Sequence, residues 1–256
     1  MTRRTVKPFF AAVSFLTVLR VPADWCGDEQ ALARSLSWFP VVGLLTGILM
    51  ALLDRMLCLL FPGLLVPSAL LVIAMITVSG GLHLDGLADS ADAFMSSRPK
   101  EQMLEIMKDS RCGPMGVLTI AALLLLKFSA LASLEGEWRM STIILMPLAG
   151  RTALVWKTVG LDYVRQSGLV TLFQKERHYG QGIAGALILS VSAFFLLGAA
   201  GLWVVLACLS VTGLIARYCR VKLGGLTGDT LGAACEIVEL VPALTVLVCL
   251  QQGILP

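Results

Sequence analysis

The chain has 256 residues, of which 57% are hydrophobic and only 14% charged. Soluble domains carry about 25% charged residues, so the composition excludes a soluble globular protein and indicates a polytopic membrane protein. Its seven cysteines include no CxxC pair, and their spacing is not that of a zinc or iron–sulfur site. With no internal repeat, we interpret 1–256 as a single membrane-embedded domain. We expect a lipid bilayer, and no nucleic acid, among its partners.

Apolar runs of about 20 residues mark the candidate membrane spans. We predict an all-α polytopic helical bundle with about seven spans. A short interfacial helix is predicted at 9–19, which is too short to cross the bilayer. The fifth and sixth spans share one long apolar stretch, which we expect to turn tightly at 198–201. The seven predicted spans are 37–61, 64–83, 114–134, 141–161, 183–200, 202–217 and 233–251.

The positions of the lysines and arginines orient these spans. Of the 20 such residues, 15 fall in segments 1–36, 84–113, 162–182 and 217–232, whereas the connections on the opposite side hold only Arg139. Cytoplasmic loops of membrane proteins carry an excess of this kind. We therefore predict that the long polar loops and the active face are cytoplasmic.

Three aspartates follow the second predicted span. In a helix, Asp85, Asp89 and Asp92 lie at i, i+4 and i+7, which places three carboxylates on one face. A divalent cation relieves both their repulsion and the cost of removing them from water. Mg²⁺ takes carboxylate oxygens together with substrate phosphates, so the cluster indicates metal-dependent phosphoryl chemistry at a membrane surface. A solvated acidic helix end is the alternative.

A second acidic group lies near the C-terminus. Asp229, Glu236 and Glu239 are at i, i+7 and i+10 and share one helix face. The two glutamates lie inside an apolar span, which makes them functional candidates by default. A structural ion pair with Arg151 or Lys127 is the alternative.

Other residues are candidates for holding a phosphate. Arginine offers a planar fork for two phosphate oxygens, and glycines let a backbone approach a phosphate closely. The alternatives are ordinary cytoplasmic anchoring for the basic residues of 108–111 and an unspecialised loop at 163–169. The substrate-binding candidates are Lys108, Arg111, Arg151, Arg165, Gly225, Thr227 and Gly228.

Several catalytic classes lack their motif. The patterns GxxxxGK[ST], HExxH and GxSxG are absent, so a P-loop ATPase, a zinc protease and a serine hydrolase are not indicated. A CDP-alcohol phosphotransferase also uses aspartates beside Gly and Ala, but its motif has Arg where Asp89 stands. A cation-coupled transporter would have charges near the bilayer midplane and matched halves, which this sequence lacks.

Four stretches, in this order, resemble the cobalamin synthase family, also called adenosylcobinamide-GDP ribazoletransferase. The LDGLAD and GGxTGDxLGAxxE patterns are the specific ones, and the resemblance covers nearly the whole chain. The matching stretches are GGLHLDGLADSADAF at 80–94, MLEIMKDSRCGPMGV at 103–117, YVRQSGL at 163–169 and GGLTGDTLGAACEIVE at 224–239, with GR at 150–151.

The resemblance implies a bacterial inner-membrane enzyme that uses Mg²⁺. It implies that adenosylcobinamide-GDP is joined to α-ribazole or its 5′-phosphate, which gives adenosylcobalamin or its 5′-phosphate and GMP. On this basis Asp85, Asp89 and Asp92 are predicted to hold Mg²⁺ on the pyrophosphate. We expect the second acidic group, Asp229, Glu236 and Glu239, to complete the metal shell or take the proton of the attacking hydroxyl.

Lys108 and Arg111 are expected to neutralise the GMP leaving group. A homo-oligomer, or a complex with other corrinoid enzymes, stays open at this point.

Overall fold

The computed structural model describes the backbone of residues 2–165 and 167–255, and side chains from Val6 onward within those ranges. Arg3 and Arg4, counted above among the cytoplasmic charges, have side chains outside the described residues. Gln166, which falls in one of the family stretches, is outside them as well.

The described residues are helical almost throughout, and the predicted all-α fold is confirmed. Two 3-10 turns, Ser35–Trp38 and Gly198–Ala200, interrupt the α-helices. The helices are α1 Thr2–Leu16, α2 Ala23–Cys26, α3 Glu29–Arg34, α4 Phe39–Leu60, α5 Leu65–Ser79, α6 Leu82–Met95, α7 Lys100–Ile106, α8 Pro114–Ala132, α9 Gly136–Gly160, α10 Leu169–Lys175, α11 Tyr179–Leu197, α12 Gly201–Leu223 and α13 Gly228–Gln251.

Four stretches of the described chain are long and apolar enough to cross a membrane, which confirms a multi-pass protein. They are Glu29–Leu60, Pro114–Ala132, Tyr179–Leu223 and Gly228–Gln251, and the bent pair of α5 and α6 would make a fifth. The Tyr179–Leu223 stretch turns back at Gly198–Ala200. The turn is so tight that a Cβ on Gly201 would clash with the carbonyl oxygen of Ala193. The count of about seven spans stays a prediction.

Helix α9 lies at the centre of the bundle and packs against α4, α11 and α13. It begins at Gly136, five residues earlier than predicted. Arg139 was therefore wrongly placed in an outside connection. Its guanidinium is buried and bonds both carboxylate oxygens of Asp54, at 2.6 and 2.9 Å. A helix surrounded by other helices can carry such charges because protein, rather than lipid, balances them.

A sharp bend follows α5. The predicted span 64–83 is wrong at its end, because α5 stops at Ser79 and both Gly80 and Gly81 take left-handed backbone angles, with φ of 62° and 73°. Only glycine adopts these angles at little cost. Helix α6 therefore leaves at 91° to α5. The bend places all three aspartates on a separate helix.

Helices α6 and α13 cross at very close range. A Cβ on Gly86 would lie 2.7 Å from the carbonyl oxygen of Asp229, and a Cβ on Gly232 would lie 3.0 Å from that of His83. The two glycines therefore let the backbones approach more closely than larger residues would allow. This crossing brings the first turn of α13 beside the aspartates of α6.

Candidate active site

The exposed end of the α6–α13 crossing carries carboxylates without partners. Asp85 is exposed and Asp89 half-buried, and neither carboxylate forms a hydrogen bond or ion pair with any described residue. Asp89 interacts electrostatically with Asp85, Asp92 and Asp229, all of which repel it. The predicted spacing thus gives one acidic face, and α13 adds a fourth carboxylate to it. We call these four residues the aspartate site.

Asp92 differs from its neighbours because both of its oxygens accept hydrogen bonds. The backbone N–H of Gly113 donates at 2.7 Å and that of Gly116 at 2.9 Å, so this carboxylate lies at the N-terminus of α8. A Cβ on Gly116 would lie 2.6 Å from the carboxylate, and one on Gly113 would clash with it. Asp92 therefore joins α6 to α8. A role for Asp92 as a metal ligand stays a prediction.

Asp229, in the first turn of α13, is paired with a cation. Arg165 donates to it at 2.8 Å and also to the carbonyl oxygen of Met107 at 3.3 Å. Both side chains are about one-fifth exposed, at 22% and 19%. The structure thus brings together two candidates that are 64 residues apart in the chain.

A short backbone pairing positions Arg165. Tyr163 and Leu226 form an isolated parallel β-bridge, in which Val164 donates to Leu226 at 3.0 Å and Leu226 to Asp162 at 2.9 Å. A Cβ on Gly225 would clash with the carbonyl oxygen of Asp162. Gly225 is therefore required by this pairing, and its predicted contact with substrate stays a prediction.

Thr227 caps α13. Its hydroxyl accepts from the N–H of Thr230 at 3.1 Å, while the hydroxyl of Thr230 accepts from the N–H of Thr227 at 2.9 Å. Thr227 is fully buried, and capping the helix accounts for its position. Its predicted contact with substrate stays a prediction. A Cβ on Gly228 would meet nothing nearer than Val170, at 3.9 Å, which leaves the N-terminus of α13 open beside Asp229.

The loop between α7 and α8 adds cations near the site. Lys108 is exposed, and Arg111 is exposed and bonds Asp109 at 2.5 to 3.1 Å. The hydrogen bonds from Arg111 lower the pKa of the Asp109 carboxyl to about 2. The loop ends at Gly113, which Asp92 holds, so both cations lie on a segment anchored to the aspartate helix.

The two glutamates of the second acidic group have different partners from Asp229. Lys127 donates to Glu236 at 2.7 Å and to Glu239 at 2.8 Å, and Arg151 pairs with the other oxygen of Glu239. All four side chains are at most 6% exposed. We call them the buried charge network. It matches the structural alternative left open by the sequence.

His83 also lies close to this network. The imidazole is buried, interacts electrostatically with Lys127, Arg151 and Glu239, and has no hydrogen-bond partner at Nε2 among the described residues. The metal and catalytic roles predicted for Glu239 and Glu236, and the substrate role predicted for Arg151, stay predictions.

Sequence reasoning did not anticipate the anchoring of α8 by Asp92. The signal in the sequence was the GPMG run at 113–116, which has one glycine directly before the start of α8 and another two residues after it. Glycines on both sides of a helix start permit close approach of another group, but no pattern names the carboxylate that approaches.

The aspartate site fits Mg²⁺ in its donor chemistry. Asp85 and Asp89 offer four hard carboxylate oxygens without protein partners. Within the described part of the chain, no three His, Cys, Asp or Glu side chains are grouped closely enough to hold a metal by themselves. Mg²⁺ keeps several waters and is usually bound by one or two carboxylates plus substrate phosphates, so a set of two free carboxylates suffices.

The fold and this site define a multi-pass membrane protein with an acidic, partly exposed site beside basic loops. The family model described as cobalamin-5-phosphate synthase matches residues 8–248, and the chain belongs to this family. Nearly the whole described bundle falls within the match.

Curated relatives agree over almost their full length. The chain is 42% identical to an adenosylcobinamide-GDP ribazoletransferase of Pseudomonas fluorescens, over 91% of this chain and 95% of the relative. It is 37% identical to the protein of that name in Geotalea daltonii, over 93% and 95%, and 39% identical to one in a Roseiflexus species, over 93% and 88%. No solved structure matches the chain.

Proposed function

We propose that this chain is a Mg²⁺-dependent adenosylcobinamide-GDP ribazoletransferase. Its substrates are adenosylcobinamide-GDP and α-ribazole or α-ribazole 5′-phosphate, and its products are adenosylcobalamin or the corresponding 5′-phosphate, and GMP. Membership of the family and the names of three relatives support the reaction. The observation that carries the site assignment is the pair of unpartnered carboxylates, Asp85 and Asp89, beside Asp229.

Asp85 and Asp89 are the residues that would hold Mg²⁺ against the pyrophosphate of adenosylcobinamide-GDP. When bound there, the metal would neutralise the developing charge of the phosphoryl transfer and orient the two phosphates. Asp92 supports them from the same helix, because its bonds to Gly113 and Gly116 fix the position of α6.

The bond that forms joins a ribose hydroxyl oxygen of ribazole to the phosphorus attached to cobinamide. The bond that breaks is the pyrophosphate bond, and its electron pair leaves with GMP. The hydroxyl must lose a proton in this step. Asp229 is the best-placed acceptor, since it lies at the aspartate site and is partly exposed, whereas Glu236 and Glu239 are buried in ion pairs.

Three cations around the site suit the phosphates. Arg165 has one N–H on Asp229 and another, Nε, without a described partner, so its guanidinium can donate a hydrogen bond to a phosphate oxygen without leaving Asp229. Lys108 and Arg111 lie on the anchored loop and would neutralise GMP as it leaves.

The reaction is assigned to the cytoplasmic face of the bacterial inner membrane. The excess of lysine and arginine in segments 84–113 and 162–182, both of which border the aspartate site, supports this orientation. A homo-oligomer, or a complex with other corrinoid enzymes, stays a prediction from the sequence.

The test is GMP release by purified, detergent-solubilised protein given adenosylcobinamide-GDP and α-ribazole. We expect release that requires both substrates, stops when EDTA removes divalent metal, and returns with added Mg²⁺. Asp85→Asn should abolish it, whereas Glu101→Gln, which neutralises an exposed carboxylate on α7, should not. Turnover that survives EDTA and Asp85→Asn would refute the metal assignment, and turnover of a CDP-alcohol instead would favour the rival phosphotransferase.

A further inference from the structure

A mostly apolar groove lies on the face of α6 opposite the aspartates. Its floor is formed by Leu87, Ser90, Ala91 and Phe94, which follow the i, i+3, i+4, i+7 spacing of one helix face. The walls come from α8, α12 and α13, and the volume is about 810 Å³. We call this feature the α6–α12 groove.

One end of the groove is basic. Arg217 and Lys222, both exposed near the C-terminal end of α12, line it, and the Lys222 ammonium lies 5.9 Å from the centre of the Tyr218 ring. The Tyr218 ring in turn contacts Phe94, with centroids 5.0 Å apart, so this is also the end where α6 finishes. No aspartate or glutamate lines the groove among the described residues. The groove therefore offers an apolar trough with positive charge at one end.

A buried polar group lies on the groove floor. Ser90 is 3% exposed, and its hydroxyl has no hydrogen-bond partner among the described residues. It lies four residues before Phe94, which is roughly 6 Å along the helix from the basic end. A buried hydroxyl without a partner is unfavourable, so an oxygen from an occupant of the groove would satisfy it.

We propose that the α6–α12 groove binds an anionic phospholipid. The phosphate pairs with Arg217 and Lys222, an ester oxygen one glycerol unit deeper accepts the hydrogen bond of Ser90, and an acyl chain covers Leu87 and Ala91. Free phosphate would satisfy the cations but leave the apolar walls exposed, whereas a phospholipid matches charge, hydroxyl and trough together. Because the floor belongs to the helix that carries Asp85 and Asp89, the bound lipid also supports the aspartate site from behind.

The test measures lipid retention directly and does not depend on the reaction. Protein is reconstituted in vesicles of phosphatidylcholine with an equal share of phosphatidylglycerol, extracted into mild detergent, and analysed by native mass spectrometry. We expect wild type to retain phosphatidylglycerol in preference to phosphatidylcholine. Arg217→Gln with Lys222→Gln should retain about 30-fold less, the equivalent of about 2 kcal/mol for two cations near anionic lipid.

The matched control removes two exposed cations away from the groove, through Arg20→Gln with Lys175→Gln. We expect it to retain phosphatidylglycerol like wild type. Thr119→Trp, on the α8 wall, keeps both cations but fills the trough, and it should reduce retention as well. Each variant is first checked for a single peak in size-exclusion chromatography.

Equal retention by the groove and control variants would overturn the proposal, because anionic lipid would then bind the surface at large. Equal retention of the two lipids by wild type would also overturn it, since the groove would then not distinguish lipids by the charge of their headgroups.

Discussion

The two acidic regions of this protein both involve helices α8 and α13, yet their carboxylates are bonded in opposite ways. Asp85 is exposed and Asp89 half-buried, and neither carboxylate has a described partner, whereas Glu236 and Glu239 are buried and paired with Lys127 and Arg151. Burying a charge is costly unless the protein balances it. The comparison teaches that, in a membrane bundle, the carboxylates balanced from within maintain the structure. Those left unbalanced are available to a cation and a substrate.

The largest expected effect comes from breaking the buried charge network. Lys127→Met removes the ammonium that bonds both glutamates, so Glu236 is left charged and buried without a partner. We expect a loss of about 3–5 kcal/mol in the free energy of unfolding. Thermal unfolding in detergent, followed by intrinsic fluorescence, measures it.

The same network supplies the control for that substitution. Lys127→Met with Glu236→Gln leaves Arg151 and Glu239 as a balanced pair, so the double variant should be more stable than the single one. A double variant as unstable as Lys127→Met would show that the side-chain volume, rather than the charge balance, matters.

The next effect concerns turnover at the aspartate site. Asp89→Asn removes a proposed metal ligand, and we expect kcat to fall about 10²- to 10³-fold, which is about 3–4 kcal/mol of transition-state stabilisation. The stability should stay level or rise, because the carboxylate is repelled by three neighbours. If Asp89→Asn lowered stability and left kcat intact, the contrast between the two acidic regions would be lost.

A smaller effect is expected from breaking the ion pair between Arg165 and Asp229 at the aspartate site. Arg165→Gln and Asp229→Asn each break the 2.8 Å ion pair, so their effects on kcat/KM should not add. A double-mutant cycle should give a coupling energy of about 0.5–3 kcal/mol, toward the lower end because both groups are partly exposed. Additive losses would mean that the two residues act separately on the substrates.

The smallest effect is expected from Asp92→Asn, which keeps one acceptor oxygen but removes the negative charge at the N-terminus of α8. We expect a loss of about 1 kcal/mol in stability and a modest loss of turnover. A fall in kcat as large as that of Asp89→Asn, with unchanged stability, would place Asp92 among the metal ligands instead.

The sequence predicted the class of fold well and the ends of several helices poorly. The turn at Gly198–Ala200 occurs where glycine and alanine interrupt an apolar run, as expected. The end of α5 was missed, because Leu82 and Leu84 continue the apolar pattern beyond Gly80 and Gly81, which turn the chain. Arg139 was misplaced because a charged residue at a helix start resembles a loop residue unless its partner, Asp54, is known.

The candidate site likewise has features that the sequence predicted and others that it did not. The spacing of Asp85, Asp89 and Asp92 is local, and a helix of known period fixes which residues share its face. By itself, the sequence determined an all-α membrane protein, its family and the acidic face on which we base its reaction. Which carboxylates stay free depends on partners more than 100 residues away, such as Lys127 for Glu236 and Glu239. Only the tertiary structure decided that, because ion pairing requires two groups to meet at hydrogen-bond distance, and no local pattern records which helices pack together.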